Sequence, residues 1–418
     1  MSPLKELQDT NYEDLPNLEP NFIDYRVNSA SFRKPEKIGH FSSDLYKKNR
    51  TREMRFDESN LSYLDLPQSL DYLQLDLTEG YDRFKHINWA NPSIDKLDEM
   101  LKWILKNRHL LESGNQAKPL DFDFITQRGV FTRIMCTPIV SDEWHIGFSK
   151  FKGTIYICPF FNDHDENESN FERLNMASYG GYRFEHYITK SKHQDTRMYD
   201  NNFSPTLHEY SALLKSKIHS MANRNGYHSL LYVAEIDCLE DKEQDSTRME
   251  NFVEIKTTSK INSHIQDENF HRYKSCKWWA QSKLVAIDRI ICGYKENNLT
   301  TVTSIETLYV DDIARRAFRI WDYRDCWNFL DHFLTYVQNL LKNENDPSKV
   351  FLFSKERNSS TITCKKVLYS GNLLIIPDWY VNAFKCKEKR IKCEMNTIII
   401  ITVEHINILH PEQCGSCS

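Results

Sequence analysis

In the segment LLYVAEIDC (230–238), alternate residues of an extended strand share a face, which brings Leu231, Val233, Glu235 and Asp237 together. Two carboxylates at successive same-face positions lie about 7 Å apart and are unfavourable beside a core unless one is protonated or a cation is shared. A divalent metal meets that condition. In NFVEIKTTS (251–259), Glu254 and Lys256 share one face while Val253, Ile255 and Thr257 occupy the other. An acid for a metal beside a lysine that orients water or offsets developing charge is the E-x-K arrangement of metal-dependent nucleases. Either pattern alone is common on surface strands. Together, on consecutive strands with apolar opposite faces, they point to a catalytic site.

The elements that must carry these residues follow from periodicity. Ile94, Leu97, Met100, Leu101, Ile104 and Leu105 recur at helical spacing, with Ser93 as N-cap. The segments FDFITQRGVFTRIMCTPI and EWHIGFSKFKGTIYICPF are β-branched and aromatic, and read as strands. Phe171 to Ile188 reads as a helix in which Gly180 and Gly181 imply a bend or a close backbone approach. Pro205 to Ala222 reads as a further amphipathic helix. The two acidic strands come next, joined as a hairpin by the Gly-free loop Glu240 to Arg248. A helix bearing Lys274, Trp278 and Gln281 precedes strands in LVAIDRIICGYK and VTSIETLYV. Phe329 to Leu341 is the last helix, before strands around Val350 to Leu352 and Val367 to Ile376.

With 418 residues, 40% of them hydrophobic and 12% aromatic, the chain is expected to bury a large core. Twelve Gly, thirteen Pro and no fixed repeat argue against solenoids and propellers. A mixed α/β enzyme fits. The net charge of −5 supplies no global attraction to nucleic acid, so any such binding must be local. Lys47 to Arg55 (KKNRTREMR) is basic, and reads mainly as a solvated face rather than a nuclear signal or RNA contact. Eleven Cys, an odd number without regular spacing, read as reduced thiols. The start, MSPLKELQDTNYEDL, has acids where a signal peptide needs a basic and then an apolar segment. The longest aliphatic stretch, Ile398 to Ile401, is far short of the roughly 20 residues of a membrane helix. A soluble intracellular chain without membrane attachment is expected.

Five motifs in order now carry a resemblance. They are Arg128-Gly129 in ITQRGVF, GYRFE ending at Glu185, EID (235–237), EIK (254–256) and Gln281 in KWWAQS. In this series the chain resembles the DXO family of decapping and 5′-end-processing ribonucleases, over about residues 20–384. The resemblance implies a PD-(D/E)XK-like nuclease core of mixed β-sheets flanked by helices. It implies that Glu185, Glu235, Asp237 and Glu254, with the Ile255 carbonyl, hold two Mg2+ or Mn2+ ions, an all-oxygen set that suits hard cations. Lys256 and Gln281 would position the attacking water, and Arg128 would bind a phosphate of the RNA 5′ end. Arg183 falls where the family varies. His145, His186 and His193 lack zinc-ligand spacing and receive no role. Lys274 and Lys277 share Gln281's helix face and suit either phosphates or solvent, while Trp278 and Trp279 read as core.

Three units are expected: a mobile lead-in (1–25), one nuclease domain (26–384) and a partly disordered extension (385–418). The spacing of Cys386, Cys393, Cys414 and Cys417 in the extension is too loose for a zinc knuckle. The expected activity is metal-dependent hydrolysis of RNA 5′ ends, including incomplete, unmethylated or NAD-type caps and 5′-triphosphates, with 5′→3′ exonuclease action a possible continuation. A monomer is expected, in the nucleus or cytoplasm, with a 5′→3′ exoribonuclease as candidate partner. Two other functions fit part of the pattern. A DNA nuclease shares the E-x-K core, and a catalytically silent RNA-end binder would have lost ligands that this chain keeps.

Overall fold

The computed structural model describes residues 12–18, 29–46, 48–49, 51–70, 72–88, 97–161, 168–192, 206–223, 226–296, 299–367 and 373–384. The first strands are β1 (Tyr12–Leu18), β2 (Ser31–Phe32), β3 (Glu36–Tyr46), β4 (Thr51–Arg55), β5 (Ser62–Leu64) and β6 (Leu75–Asp76). Helices α1 (Tyr81–Phe84) and α2 (Asp98–Lys106) precede β7 (Phe124–Gln127), α3 (Arg128–Cys136), β8 (Trp144–Phe151) and β9 (Thr154–Phe160). The long α4 (Glu168–Ile188) leads to β10 (Thr189–Ser191), β11 (Thr206–His219), β12 (Tyr227–Glu235), β13 (Cys238–Leu239) and β14 (Phe252–Ser259). Then come α5 (His264–Phe270), a π-helical turn His271–Ser275 and α6 (Cys276–Val285). The series ends with β15 (Arg289–Lys295), β16 (Thr301–Tyr309), α7 (Val310–Arg316), α8 (Tyr323–Leu340), β17 (Val350–Lys355) and β18 (Ile362–Val367).

Two mixed sheets result, as a mixed α/β nuclease core requires. One has 11 strands, in the path β1-β18-β17-β8-β9-β7-β12-β11-β3-β4 with β2 beside β11. The other has seven, in the order β10-β5-β13-β14-β15-β16-β6. Helices α3, α6 and α8 pack the larger core with residues such as Phe131, Ile134, Trp279, Leu284, Phe329 and Phe333. A second cluster, with Phe184, Ile188, Val253, Ile255 and Ile291, joins α4 to the smaller sheet. Close approach is secured at Gly293, where a Cβ would meet the Phe184 ring at 2.5 Å.

Several sequence expectations are corrected. The residues after Gln127 continue as helix α3, because Val130, Phe131, Ile134 and Met135 are all buried on one helical stripe. Thr206–His219 is a strand, not a helix. It lies between β12 and β3, and the continuous buried run Tyr210–Leu214 hides the two-residue period. The acidic strands do not form one hairpin: β12 ends at Glu235 in the larger sheet, and the short β13 pairs with β14 in the smaller one. Within the expected lead-in, Tyr12–Leu18 forms β1 and pairs antiparallel with β18. Ser93, His193 and residues 385–418 lie outside the described residues.

By contact density the chain divides into Met1–Ile375 and Ile376–Ser418. In the second unit the described residues include a helix over 378–384, started by Tyr380 and Val381 amides donating to the Pro377 carbonyl. No helix among the described residues is long and apolar enough to cross a membrane.

Ile236 and Ile255 are 2% and 4% exposed, in the larger and smaller cores respectively. Changing either to Asp should destabilise the fold by about 3 kcal/mol or more, read as a lower urea midpoint at unchanged slope. Wild-type midpoints would mean that these side chains do not face apolar packing.

Candidate active site

The parallel strands β7 and β12 end side by side, with Gln127 paired to Val233. The next residue on the first is Arg128, and two residues on along the second is Glu235. Past Glu235 the pairing with β11 runs out: the Ile236 amide still donates to the Tyr210 carbonyl, and Asp237 falls in the link between β12 and β13. The E-x-D pair therefore spans a strand end rather than two positions of one strand face. Asp237 Oδ2 accepts a hydrogen bond from the Ile255 amide at 2.5 Å, which ties it to β14.

Glu254 is the fulcrum, at 1% exposure. Its Oε1 accepts from Lys256 Nζ at 2.6 Å and its Oε2 from Arg128 at 3.0 Å. Burial opposes its charge, but Arg128 and Lys256 prevail and hold the carboxyl at about 2. Glu254 and Lys256 thus share a face, as the alternation predicts.

The other acids behave oppositely. Glu209 and then burial push Glu235 up to about 7, while burial and then Glu254 push Asp237 up to about 7. Burial, then the charges of Asp237 and Glu235, drive Glu185 well above the usual carboxylate range. Glu185 comes from the last turn of α4, where its neighbour Phe184 rests on Gly293 and the Glu185 carbonyl accepts from Thr189 Oγ1 at 2.8 Å. Glu235 remains open to water although protein walls it closely, as expected of a cleft lining.

Sequence reasoning missed one wall of this cleft. Arg52, in the stretch read as a solvated face, bonds Glu209 at 2.5 Å and Glu99 at 3.4 Å, and its charge acts on Glu235. Glu209 lies two residues from Ser211, the β11 partner of Glu235. The alternation of Arg52 with Glu53 gave no sign of this, and reading 206–219 as a helix concealed Glu209. Of the other candidates, half-buried Gln281 sits on α6, and Lys277 pairs with Asp142 at 2.9 Å. Trp278 and Trp279 are core residues. Arg183 pairs with Glu79, away from the acids, and Gly180 gives the expected close approach, at 3.3 Å to Leu77. His145 pairs with Glu143 and Ser354.

The donor set fits a hard divalent cation, since it consists of carboxylates whose ionised forms repel one another. As they stand, no three Asp, Glu, His or Cys side chains among the described residues enclose an ion. Asp237 and Glu254 are turned to the Ile255 amide, Arg128 and Lys256 instead.

The chain matches the family described as RAI1 like PD-(D/E)XK nuclease over residues 33–381. It is 28% identical to the decapping and exoribonuclease protein of Xenopus laevis over 371 residues, 86% of this chain and 88% of that one. Among solved structures, Scheffersomyces stipitis Rai1 superposes with a TM-score of 0.68 at 18% identity, covering 89% of this chain and 100% of that one. Candida albicans Rai1 gives 0.67 at 20% identity, with 90% and 99% covered. At these identities the superpositions speak for the fold.

A carboxyl whose folded pKa exceeds its unfolded value of about 4 stabilises the fold while protonated, and that contribution fades as pH rises. For Glu235 and Asp237 the loss extends up to about 7. A divalent ion needs the ionised forms. The rise in Tm on adding Mn2+ to EDTA-treated protein should therefore grow with pH and level off above about pH 8. A rise independent of pH would contradict this placement of the protons.

Proposed function

Because the chain belongs to the RAI1-like PD-(D/E)XK nuclease family, we propose that it hydrolyses phosphate linkages at RNA 5′ ends, removing incomplete, unmethylated or NAD-type caps and 5′-triphosphates. The observation that carries this reading is Glu254, held ionised by Arg128 and Lys256 beside Glu185, Glu235 and Asp237, which resist ionising together. Relatives support the substrate class. The Candida albicans protein is solved with pU5 and Mn2+, and the Scheffersomyces stipitis protein with a 3′-NADP and calcium.

In this reading Glu185, Glu235, Asp237, Glu254 and the Ile255 carbonyl hold two Mg2+ or Mn2+ ions. Bound there, such ions acidify water and offset charge on the attacking and leaving oxygens. Lys256 stays charged, because Glu254 and Asp237 outweigh its burial, and it can steady a water or a developing charge. Gln281, without a hydrogen-bond partner among the described residues, is free to orient the same water. Arg128, at the start of α3, can divide its guanidinium between Glu254 and an incoming phosphate. All these groups come from one chain, so a monomer suffices, in the nucleus or cytoplasm. A 5′→3′ exoribonuclease that consumes the exposed 5′-monophosphate is the fitting partner.

The test is a Glu235→Ala/Asp237→Ala protein, checked for folding and assayed with RNAs bearing triphosphate, unmethylated-cap, NAD and monophosphate ends. Hydrolysis should fall at every end by at least about 10³-fold, roughly 4 kcal/mol of transition-state stabilisation. RNA binding should fall less, since it also uses Arg128 and groove contacts. Undiminished hydrolysis, or wild-type hydrolysis that persists in EDTA, would remove the proposal.

A further inference from the structure

Helix α6 presents its two sides to different regions. Gln281, read above as positioning water, lies about 200° round the helix from Trp279. Trp279, Lys283 and Ala286 instead form one wall of a groove of about 1210 Å3, whose other walls are α7, the start of α8 and β2. Its floor is aromatic. Trp279 packs on Trp327 and Trp321 with ring centroids 5.7 and 5.6 Å apart, and Phe32 stacks on Trp327 at 4.6 Å. Phe318 and Tyr323 carry the aromatic surface to the mouth of the groove, where they are 68% and 49% exposed. No step of the proposed hydrolysis uses this region.

The groove holds hydrogen-bond donors that the fold leaves unused. Trp321 Nε1 donates to Ser275 Oγ at 3.0 Å. Trp279 and Trp327, only 3% and 8% exposed, have no acceptor for their indole N–H groups among the described residues. Neither N–H is sealed in the interior, so each opens on the cavity that its ring lines. A tryptophan so deeply placed ordinarily finds a partner for that group.

The rim charges, in contrast, are already matched. Lys283 pairs with Asp311 at 2.7 Å, Lys34 with Glu250 at 3.2 Å, Arg315 with Asp312 and Arg324 with Asp322. An RNA backbone would have to compete with these carboxylates and would meet Asp288 on the same rim. The complementary ligand is therefore uncharged along its length, apolar on its faces and rich in acceptors. A polyproline II peptide has that chemistry. Its carbonyls make no internal hydrogen bonds, proline brings no N–H of its own, and its rings pack on aromatic grooves.

We propose that this groove docks a proline-rich segment of a partner protein, whose carbonyls accept from Trp279 and Trp327 while its prolines lie on Phe318 and Tyr323. The site is separate from the acids, on the other side of α6 from Gln281, so a protein bound there leaves the cleft open to RNA.

The test titrates the full chain into fluorescein-labelled decaproline, with a labelled Gly-Ser peptide of equal length as control, and reads anisotropy. Decaproline should bind saturably with Kd below about 1 mM, and the control should not. Phe318→Ser/Tyr323→Ser, at the exposed mouth, should weaken decaproline binding at least about fivefold while the urea midpoint and RNA hydrolysis stay as in wild type. Trp279→Phe and Trp327→Phe keep a ring but remove the N–H, and each should weaken binding about threefold or more. Absence of saturable decaproline binding, or equal affinity in wild type and the mouth variant, would overturn the proposal. So would a uridine decamer that loses affinity in the mouth variant while decaproline does not, since the groove would then belong to RNA. Should the tryptophan variants unfold, the mouth variant decides alone.

Discussion

Carboxylates crowded into one cleft repel one another, and each must be neutralised by a proton, a protein cation or an ion from outside. In this protein Glu99, Glu185, Glu209, Glu235, Asp237 and Glu254 stand against Arg52, Arg128 and Lys256. The protein cations are spent unevenly. Arg128 and Lys256 both serve Glu254, and Arg52 serves Glu209 and Glu99. Glu185, Glu235 and Asp237 are left to hold protons near neutrality or to find another cation. In the proposed reading, that residual negative charge is what a divalent ion would neutralise.

The fold gathers these groups from separate layers. Arg128 and Glu235 follow adjacent parallel strands of the larger sheet, while Glu254 and Lys256 ride on the smaller. Asp237 bridges them through the Ile255 amide, and α4 brings Glu185 by seating Phe184 on Gly293. A shift of one sheet against the other would separate Arg128 from Glu254 at once. The buried Ile236 and Ile255, on either side of the junction, resist such a shift because each belongs to a different apolar core.

The acids were legible in the sequence because E-x-D, E-x-K and GYRFE place charges where apolar strands and a helix would otherwise continue. Glu254 and Lys256 do lie on one face, and Gln281 does lie on a helix. The rest was obscured for physical reasons. Leu207, Tyr210, Leu213, Leu214 and Ile218 have helix-like spacing, yet they belong to a strand whose neighbours bury it on both sides. Val130, Phe131 and Ile134 favour strands, yet packing against α6 and α8 makes that segment a helix. Arg52 looked solvated because its partners are remote in sequence: Glu209 meets it through pairing of β3 with β4 and β11, and Glu99 comes from α2.

The central claim is that this charge imbalance is a site for divalent cations. Crystals grown at about pH 8.5 with Mn2+, measured at an energy where manganese scatters anomalously, test it most directly, because Glu235 and Asp237 should be largely ionised there. The expected result is anomalous density within about 2.2 Å of carboxylate oxygens of Glu235, Asp237 and Glu254, with Glu185 completing the set and Glu254 turned away from Arg128 or Lys256. A cleft without anomalous density at saturating Mn2+, with Glu254 still held by both cations, would contradict the account.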